Sequence, residues 1–279
     1  MNRGPLALLL AAAILLIGGR GQAADPQLIL EFGGTTLSLG RDALLANPAA
    51  TTIEIPQDPS YGRPMRYRAL PLAVLLAGRK IPADHVLETV ASDGFVAMLP
   101  GDLVLASSPA SSKAYLAIEP EQAPWPALPG KTASAGPFYL VWLDPEASSV
   151  RGEQWVYMVS RIRTADSPAR RWPALAVDPA LPAGDPLRSG QEIFVTQCLV
   201  CHQLNGAGSA TVGPDLNLPM NPTEYFQPAA LRRYIRDPRS VRSWNGMRME
   251  GFGPDVMSDR EIDLVIDYLR YMAGRKTTP

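Results

Sequence analysis

The stretch Cys198-Leu199-Val200-Cys201-His202 contains both cysteines of the 279-residue chain and one of its two histidines. Two thiols separated by two residues and followed directly by an imidazole form the C-x-x-C-H pattern, which is typical of covalent haem attachment. The thiols bond to one edge of the porphyrin, and the imidazole binds the iron. A disulfide or a thioredoxin-like redox pair would also use C-x-x-C, but neither explains the histidine, and no thioredoxin-like βαβ pattern surrounds the pair. The motif predicts one haem c, with Cys198 and Cys201 attached to it and His202 on its iron.

The composition is that of an ordinary globular protein. It is 46% hydrophobic and 19% charged, and its formal net charge is −1. This near-neutral balance gives no support to nucleic-acid binding. The length predicts two domains, and the 28 prolines indicate many turns and a stiff connector.

The first 24 residues have the pattern of a secretory signal peptide. Arg3 precedes an apolar run from Leu6 to Ile17, and small residues follow it. Such a run is too short to span a bilayer as a helix, and a basic start with small residues near a cleavage site is typical of export. We expect cleavage near Ala23 or Ala24, a periplasmic location and no transmembrane segment in the mature chain. An uncleaved membrane anchor is the alternative.

Residues 25–165 predict a β-rich domain. Two alternating stretches flank Gly33-Gly34, which indicates a hairpin. Further strands are predicted at 51–55, 86–91, 95–99, 114–118, 138–143 and 154–162, and short helices at 41–46 and 71–77.

Three segments of this domain, at 67–76 (YRALPLAVLL), 91–97 (ASDGFVA) and 136–142 (GPFYLVW), follow one another in an order that resembles the molybdopterin-binding domain of the sulfite oxidase family. That family holds molybdenum through a cysteine thiolate, whereas this domain contains no cysteine. The resemblance therefore implies the fold without the metal. Asp93-Gly94 also has a simpler interpretation, as a turn between two strands.

Residues 166–184 are rich in proline and predict a semi-rigid, extended linker. The linker ends at Asp185-Pro186, an N-cap followed by proline at the first helical position.

From there to the C-terminus the sequence resembles class I cytochrome c, an all-α domain. Gly190 and Phe194 lie one turn apart on the first helix, and the resemblance implies that they meet an aromatic residue of the last helix, here Tyr268. The segment Gly213-Pro214-Asp215-Leu216 follows the haem motif. In the family, the proline carbonyl accepts a hydrogen bond from the histidine Nδ1, and the leucine packs on the porphyrin. These roles fall to Pro214 and Leu216, although a plain turn would use the same residues.

The sixth iron ligand is expected to be a methionine, because one histidine is used and the other, His85, lies in the first domain. The candidates are Met220, Met247, Met249, Met257 and Met272. The family places its ligand before the last helix as Met-Pro-x-Phe. The segment from Met249 to Phe252 fits this frame with Glu250 in place of proline, so Met249 is predicted and Met247 is the alternative. Trp244 is expected in the haem environment, either bonded to a propionate or the ligand loop, or filling the haem crevice.

Together these features predict an α+β, two-domain, exported monohaem cytochrome. The domains are expected at 25–165 and 185–279, and the protein is expected to carry single electrons between redox protein partners such as a dehydrogenase, a terminal oxidase or another cytochrome. An iron with both axial positions filled has no site for substrate, so we expect no enzymatic activity of its own. The alternatives are a haem-containing subunit of a molybdopterin-type oxidoreductase and a haem-based sensor.

Overall fold

The computed structural model describes residues 25–82, 85–148 and 150–277. The predicted signal peptide lies outside these residues. The first half of the described chain is a β-rich region. Its strands are β1 (Gln27–Phe32), β2 (Thr35–Gly40), β3 (Thr51–Asp58), β4 (Arg63–Pro71), β5 (His85–Ala91), β6 (Val96–Pro100), β7 (Lys113–Ile118), β8 (Phe138–Leu143) and β9 (Val159–Asp166).

The strands form two sheets. One has the order β2-β1-β9-β5-β6, in which β1 and β9 are parallel and the other neighbours antiparallel. The second has the order β3-β4-β7-β8 and is antiparallel throughout. Strand β8 is an edge of this sheet, yet its first five residues are buried. The chain after β8 covers this edge, since Leu140 donates a backbone hydrogen bond to Val156.

The predicted hairpin across Gly33-Gly34 is confirmed as β1–β2. Both glycines have positive φ, 55° and 77°, which is the backbone that a two-residue hairpin turn requires. Two strands differ from expectation. Strand β4 was not predicted, and β9 begins at Val159 rather than at Gln154, which instead ends a short 3-10 helix.

The second half of the described chain is helical, as predicted. The helices of the whole chain are α1 (Arg41–Leu45), α2 (Leu72–Leu75), α3 (Gly101–Val104), α4 (Pro168–Arg171), α5 (Pro186–Gln197), α6 (Pro222–Tyr225), α7 (Pro228–Arg236) and α8 (Asp259–Ala273), with 3-10 helices at Pro145–Ser148, Gly152–Gln154, Pro173–Leu175 and Pro238–Ser240. The two regions have separate hydrophobic cores, one around the sheets and one among the helices. Within the described residues, no helix combines the length and apolar character needed to cross a membrane.

The connection over residues 166–184 is folded, in contrast to the extended linker expected from its prolines. It contains α4 and a 3-10 turn, and Leu175 and Val177 are buried in the core of the helical region. The Leu175 carbonyl accepts a hydrogen bond of 2.6 Å from the Tyr268 hydroxyl. The apolar residues Leu175 and Val177, which lie between the prolines, pack in the helical core instead.

Helices α5 and α8 cross at Gly190. A Cβ built on this glycine would lie 2.3 Å from the Leu264 carbonyl oxygen and 3.0 Å from the Tyr268 Cβ, so only glycine lets the helices approach this closely. One turn further on, the rings of Phe194 and Tyr268 pack with their centroids 5.3 Å apart. The predicted meeting of Gly190 and Phe194 with Tyr268 is confirmed. This crossing fixes the helix that leads into the cysteine motif.

Candidate haem-attachment site

The cysteine motif continues helix α5 by one helical turn. Asp185 caps the start of this helix by accepting a hydrogen bond of 2.9 Å from the Leu187 amide. Beyond its last residue, the amides of Cys201 and His202 both donate to the Cys198 carbonyl, at 3.1 and 2.9 Å. Side chains three and four positions apart lie on the same face of a helical turn. The two thiols and the imidazole therefore project to one side, as attachment to a single porphyrin requires.

The imidazole of His202 is held in one tautomer. Its Nδ1 lies 2.9 Å from the Pro214 carbonyl oxygen, so the hydrogen bond predicted between these residues is present. A carbonyl oxygen only accepts, so Nδ1 carries the proton and Nε2 keeps its lone pair. Burial lowers the pKa of His202, against the opposing effects of the Pro214 hydrogen bond and the Asp215 carboxylate. A neutral imidazole with a free Nε2 is the form that binds a metal.

Gly213 packs directly against this imidazole. A Cβ at Gly213 would lie 2.5 Å from Cε1 and 2.6 Å from Nδ1 of His202. The Gly213 amide also donates a hydrogen bond of 2.7 Å to the Cys201 carbonyl. The loop after the motif therefore fixes the orientation of the ring from two directions, by contact at Gly213 and by hydrogen bonding at Pro214.

Asp215 organises the loop in which Pro214 and Leu216 lie. Its carboxylate accepts hydrogen bonds from the amides of Gly206 at 2.6 Å, Asn217 at 2.7 Å and Leu218 at 2.9 Å. The Leu216 amide donates to the Gln203 carbonyl at 2.8 Å, and its half-buried side chain packs against the helical core. Leu216 is thus close to the motif in the chain and in space, and its packing on a porphyrin stays a prediction.

A buried ladder of asparagines, which sequence reasoning missed, ties this loop to helix α8. The Asn217 amide group donates to Asn205 and to the Met272 carbonyl, both at 2.8 Å. Asn221 repeats the pattern one step further, donating to Asn217 at 2.8 Å and to the Leu269 carbonyl at 2.9 Å. Asn217 and Asn221 are four residues apart, a spacing that is also common among surface residues of a helix. Only their partners in the tertiary structure show that they are buried and bonded.

Both cysteine thiols have pKa values raised above the ordinary value. Burial raises the pKa of the Cys198 thiol well above its ordinary value and that of Cys201 to about 12, with the Glu153 carboxylate adding to both. A thioredoxin-like pair depends on a lowered thiol pKa. The pKa values of Cys198 and Cys201 are raised instead, which disfavours the redox-pair alternative.

The methionine candidates differ in their surroundings. Met257 and Met272 are fully buried in the helical core, and Met220 exposes 51% of its surface. Met247 and Met249 are half-buried.

Met247 and Met249 lie in the segment Ser243–Phe252, which we call the methionine loop. The end of this loop is anchored by Arg236, which donates to the Phe252 and Met257 carbonyls at 2.5 and 2.6 Å. At Gly251 a Cβ would lie 2.4 Å from the Arg236 carbonyl oxygen, so the loop needs glycine there. Trp244 lies at the surface and exposes 52% of its area.

The motif also lies where the helical region contacts the β-rich region, at a contact that we call the Val200 seam. Leu199 is buried in the helical core, whereas the next residue, Val200, is buried in the core of the sheets. The Val96 amide donates a hydrogen bond of 3.0 Å to the Val200 carbonyl. Sequence reasoning predicted the two regions but not this contact, because nothing local to Val200 signals a partner a hundred residues away.

Comparison with known families identifies the helical region. Residues 187–273 match the family model described as Cytochrome c. No curated protein matches the chain. The match runs from the second residue of α5 to the last residue of α8, so it contains the motif, the Pro214 loop and the methionine loop.

Proposed function

Because the C-terminal region is a cytochrome c domain, which binds haem c covalently and transfers electrons, we propose that this protein is a periplasmic single-electron carrier with one haem. The observation that carries the proposal is the His202 imidazole, oriented by its hydrogen bond to the Pro214 carbonyl and lying on the same turn as two thiols, with a pKa that burial lowers. The presence of one C-x-x-C-H and no other cysteine supports a single haem.

In this proposal each residue has a separate task. Cys198 and Cys201 would attach the porphyrin, and His202 and Met249 would ligate its iron. The Pro214 carbonyl accepts the hydrogen bond from Nδ1 of His202 and so orients the ring. Leu216 and Trp244 would belong to the haem surroundings, and the helical core would exclude water. The haem supplies a reversible one-electron change at its iron, and thioether ligation favours a comparatively high potential. With His202 and Met249 both on the iron, the haem would offer no open site to a substrate, so the protein would exchange electrons with redox protein partners.

The sixth ligand provides the decisive experiment. Oxidised haem with an iron–methionine bond has a weak charge-transfer absorption in the far red. We expect this band in the wild type and its loss in Met249→Ala. Met220→Ala is the matched control, because Met220 is a surface methionine of the same region and its removal should leave the band unchanged. A band that survives Met249→Ala but not Met247→Ala would move the ligand to Met247. A wild type without the band would refute methionine ligation and would favour the oxidoreductase or sensor alternatives.

A second function is favoured by the seam at Val200. The β-rich region contacts the haem motif directly, so a cofactor bound among the sheets would have a short path to the haem. We propose that this region has the sulfite oxidase-type fold without a molybdenum thiolate. If it instead retains a pterin, the protein is the haem-containing part of an oxidoreductase. Metal and pterin analysis of the purified protein separates the two, since only the second function predicts a pterin or metal in addition to the haem iron.

A further inference from the structure

The methionine loop is tied to the β-rich region on both sides of Met249. Arg248, which precedes it, donates from Nη2 to the Asp93 carboxylate and to the Asp93 carbonyl, both at 3.1 Å. Glu250, which follows it, pairs through Oε1 with Lys131 Nζ at 3.1 Å. The two neighbours of the predicted ligand are therefore ion-paired to different segments of the other region.

Between its two ends, the methionine loop has few internal hydrogen bonds to restrain it. Within the described residues, one backbone hydrogen bond forms inside the segment 243–251, from the Met247 amide to the Trp244 carbonyl at 3.3 Å. The segment contains no helix or strand, and its described side chains are exposed or half-buried. A loop with few internal contacts samples many conformations unless its side chains are restrained from outside.

The restraining groups are themselves fixed. Asp93 lies in the turn between β5 and β6, where its Oδ1 accepts a hydrogen bond of 3.2 Å from the Phe95 amide. The next residue, Gly94, has φ +96°, and a Cβ there would lie 2.5 Å from the Thr211 Oγ1. The Gly94 carbonyl accepts a hydrogen bond of 3.3 Å from the Thr211 amide. The same turn therefore contacts the loop after His202 and the loop around Met249.

Lys131 is held in a similar way. Its ammonium donates a hydrogen bond of 2.6 Å to the Tyr157 hydroxyl and lies 4.6 Å from the centroid of that ring. The contact with Tyr157 therefore orients the Lys131 side chain for its ion pair with Glu250. Its pair with Glu250 is the second point at which the β-rich region contacts the methionine loop.

We propose that Asp93 and Lys131 are positioning residues, and that the β-rich region acts through them to hold Met249 in its ligating position. The inference rests on the proposed function, because it requires a methionine on the iron. It gives the β-rich region a role in this protein that needs no cofactor of its own. It also gives the Asp93-Gly94 turn a task beyond joining two strands.

The test measures how easily the methionine leaves the iron. An external ligand such as carbon monoxide binds reduced haem only when the methionine is displaced, so its apparent affinity reports the population of the open state. Exposed ion pairs are weak and screened by salt. For Asp93→Asn and Lys131→Met we therefore expect carbon monoxide to bind about 2- to 5-fold more tightly, and for the double variant about 10-fold, at low ionic strength.

Three comparisons make the result specific. Glu54→Gln is the matched control, because it removes an ion pair of the same region, Glu54–Arg66 between β3 and β4 at 3.0 Å, that does not involve the methionine loop, and we expect wild-type affinity. Raising the salt concentration should bring the wild type toward the double variant. Lys131→Glu alone should raise the carbon monoxide affinity, and adding Glu250→Lys should bring it back toward the wild-type value, which a general structural defect would not do.

The possible failures are distinguishable. If Met249→Ala loses the far-red band but the double variant binds carbon monoxide as the wild type does, the positioning role is overturned and the carrier proposal stands. If the wild type has no iron–methionine band, the ligand assignment fails, and the positioning role fails with it.

Discussion

Replacing Gly190 by alanine tests whether the crossing of helices α5 and α8 builds the haem-binding region. In an open helix interior, alanine in place of glycine adds about 1 kcal/mol of stability. Here the new Cβ would lie 2.3 Å from a backbone carbonyl oxygen, whereas ordinary contacts begin at 3.4 Å. Backbone atoms of a helix cannot rotate away, so the two helices must separate by about 1 Å, and overpacking of this kind costs roughly 1–3 kcal/mol.

The same separation weakens the Phe194–Tyr268 ring contact, which contributes about 0.5–1.5 kcal/mol. After the gain in helix propensity, we expect Gly190→Ala to destabilise the helical region by about 2 kcal/mol. Denaturant unfolding of the haem-containing protein, followed by haem absorption, measures this. Ser189→Ala is the control, since Ser189 is exposed on the same helix and gains propensity without a clash. Unfolding of Gly190→Ala at or above the wild-type midpoint would refute the argument.

Two further predictions concern the haem motif and its surroundings. Gly213→Ala places a methyl group against the His202 ring, so we expect it to break the hydrogen bond between His202 and Pro214, which is worth about 1 kcal/mol. The reduction potential of the haem, measured by redox titration, should then shift. Gly184→Ala is the control, because it adds a methyl group in open space and should leave the potential unchanged. Burial, reinforced by Glu250, raises the pKa of Glu153 to about 7 from an ordinary 4.5. The folded state therefore binds this proton more tightly than the unfolded chain, and the associated stability is fully present below pH 4.5 and is lost as the pH rises to about 7. Unfolding measurements of Glu153→Gln across that pH range should no longer show this loss of stability. Glu146→Gln, a change at an exposed carboxylate, should still show it. A stability profile against pH that is the same in the wild type and in Glu153→Gln would contradict the raised pKa of Glu153.

Local patterns predicted the elements whose signals lie within a few residues. The Gly33-Gly34 hairpin is present, and so is the N-cap at Asp185, whose side chain accepts a hydrogen bond from the Leu187 amide. The hydrogen bond between His202 and Pro214 followed from the family resemblance and is also present. In each case the partners are thirteen residues apart or fewer, so chain geometry alone brings them together.

Contacts between distant residues were not predictable in this way. In β4 the buried residues Met65, Tyr67 and Ala69 alternate with exposed positions, but arginines between them and a proline near its start masked the strand. The fold of residues 166–184 depends on where Leu175 and Val177 find an apolar surface, which the prolines do not indicate. The asparagine ladder and the Val200 seam likewise depend on partners that only the tertiary structure brings close.

The burial of Val200 between the two cysteines has a consequence for the order in which the protein matures. Once Val200 is packed in the core of the sheets and Val96 is bonded to its carbonyl, the β-rich region covers one side of the attachment turn. Any machinery that joins haem to Cys198 and Cys201 must reach both thiols before this docking occurs. We therefore expect haem to be inserted into a chain whose two regions are still apart, and docking of the β-rich region to be a late step that seals the finished site.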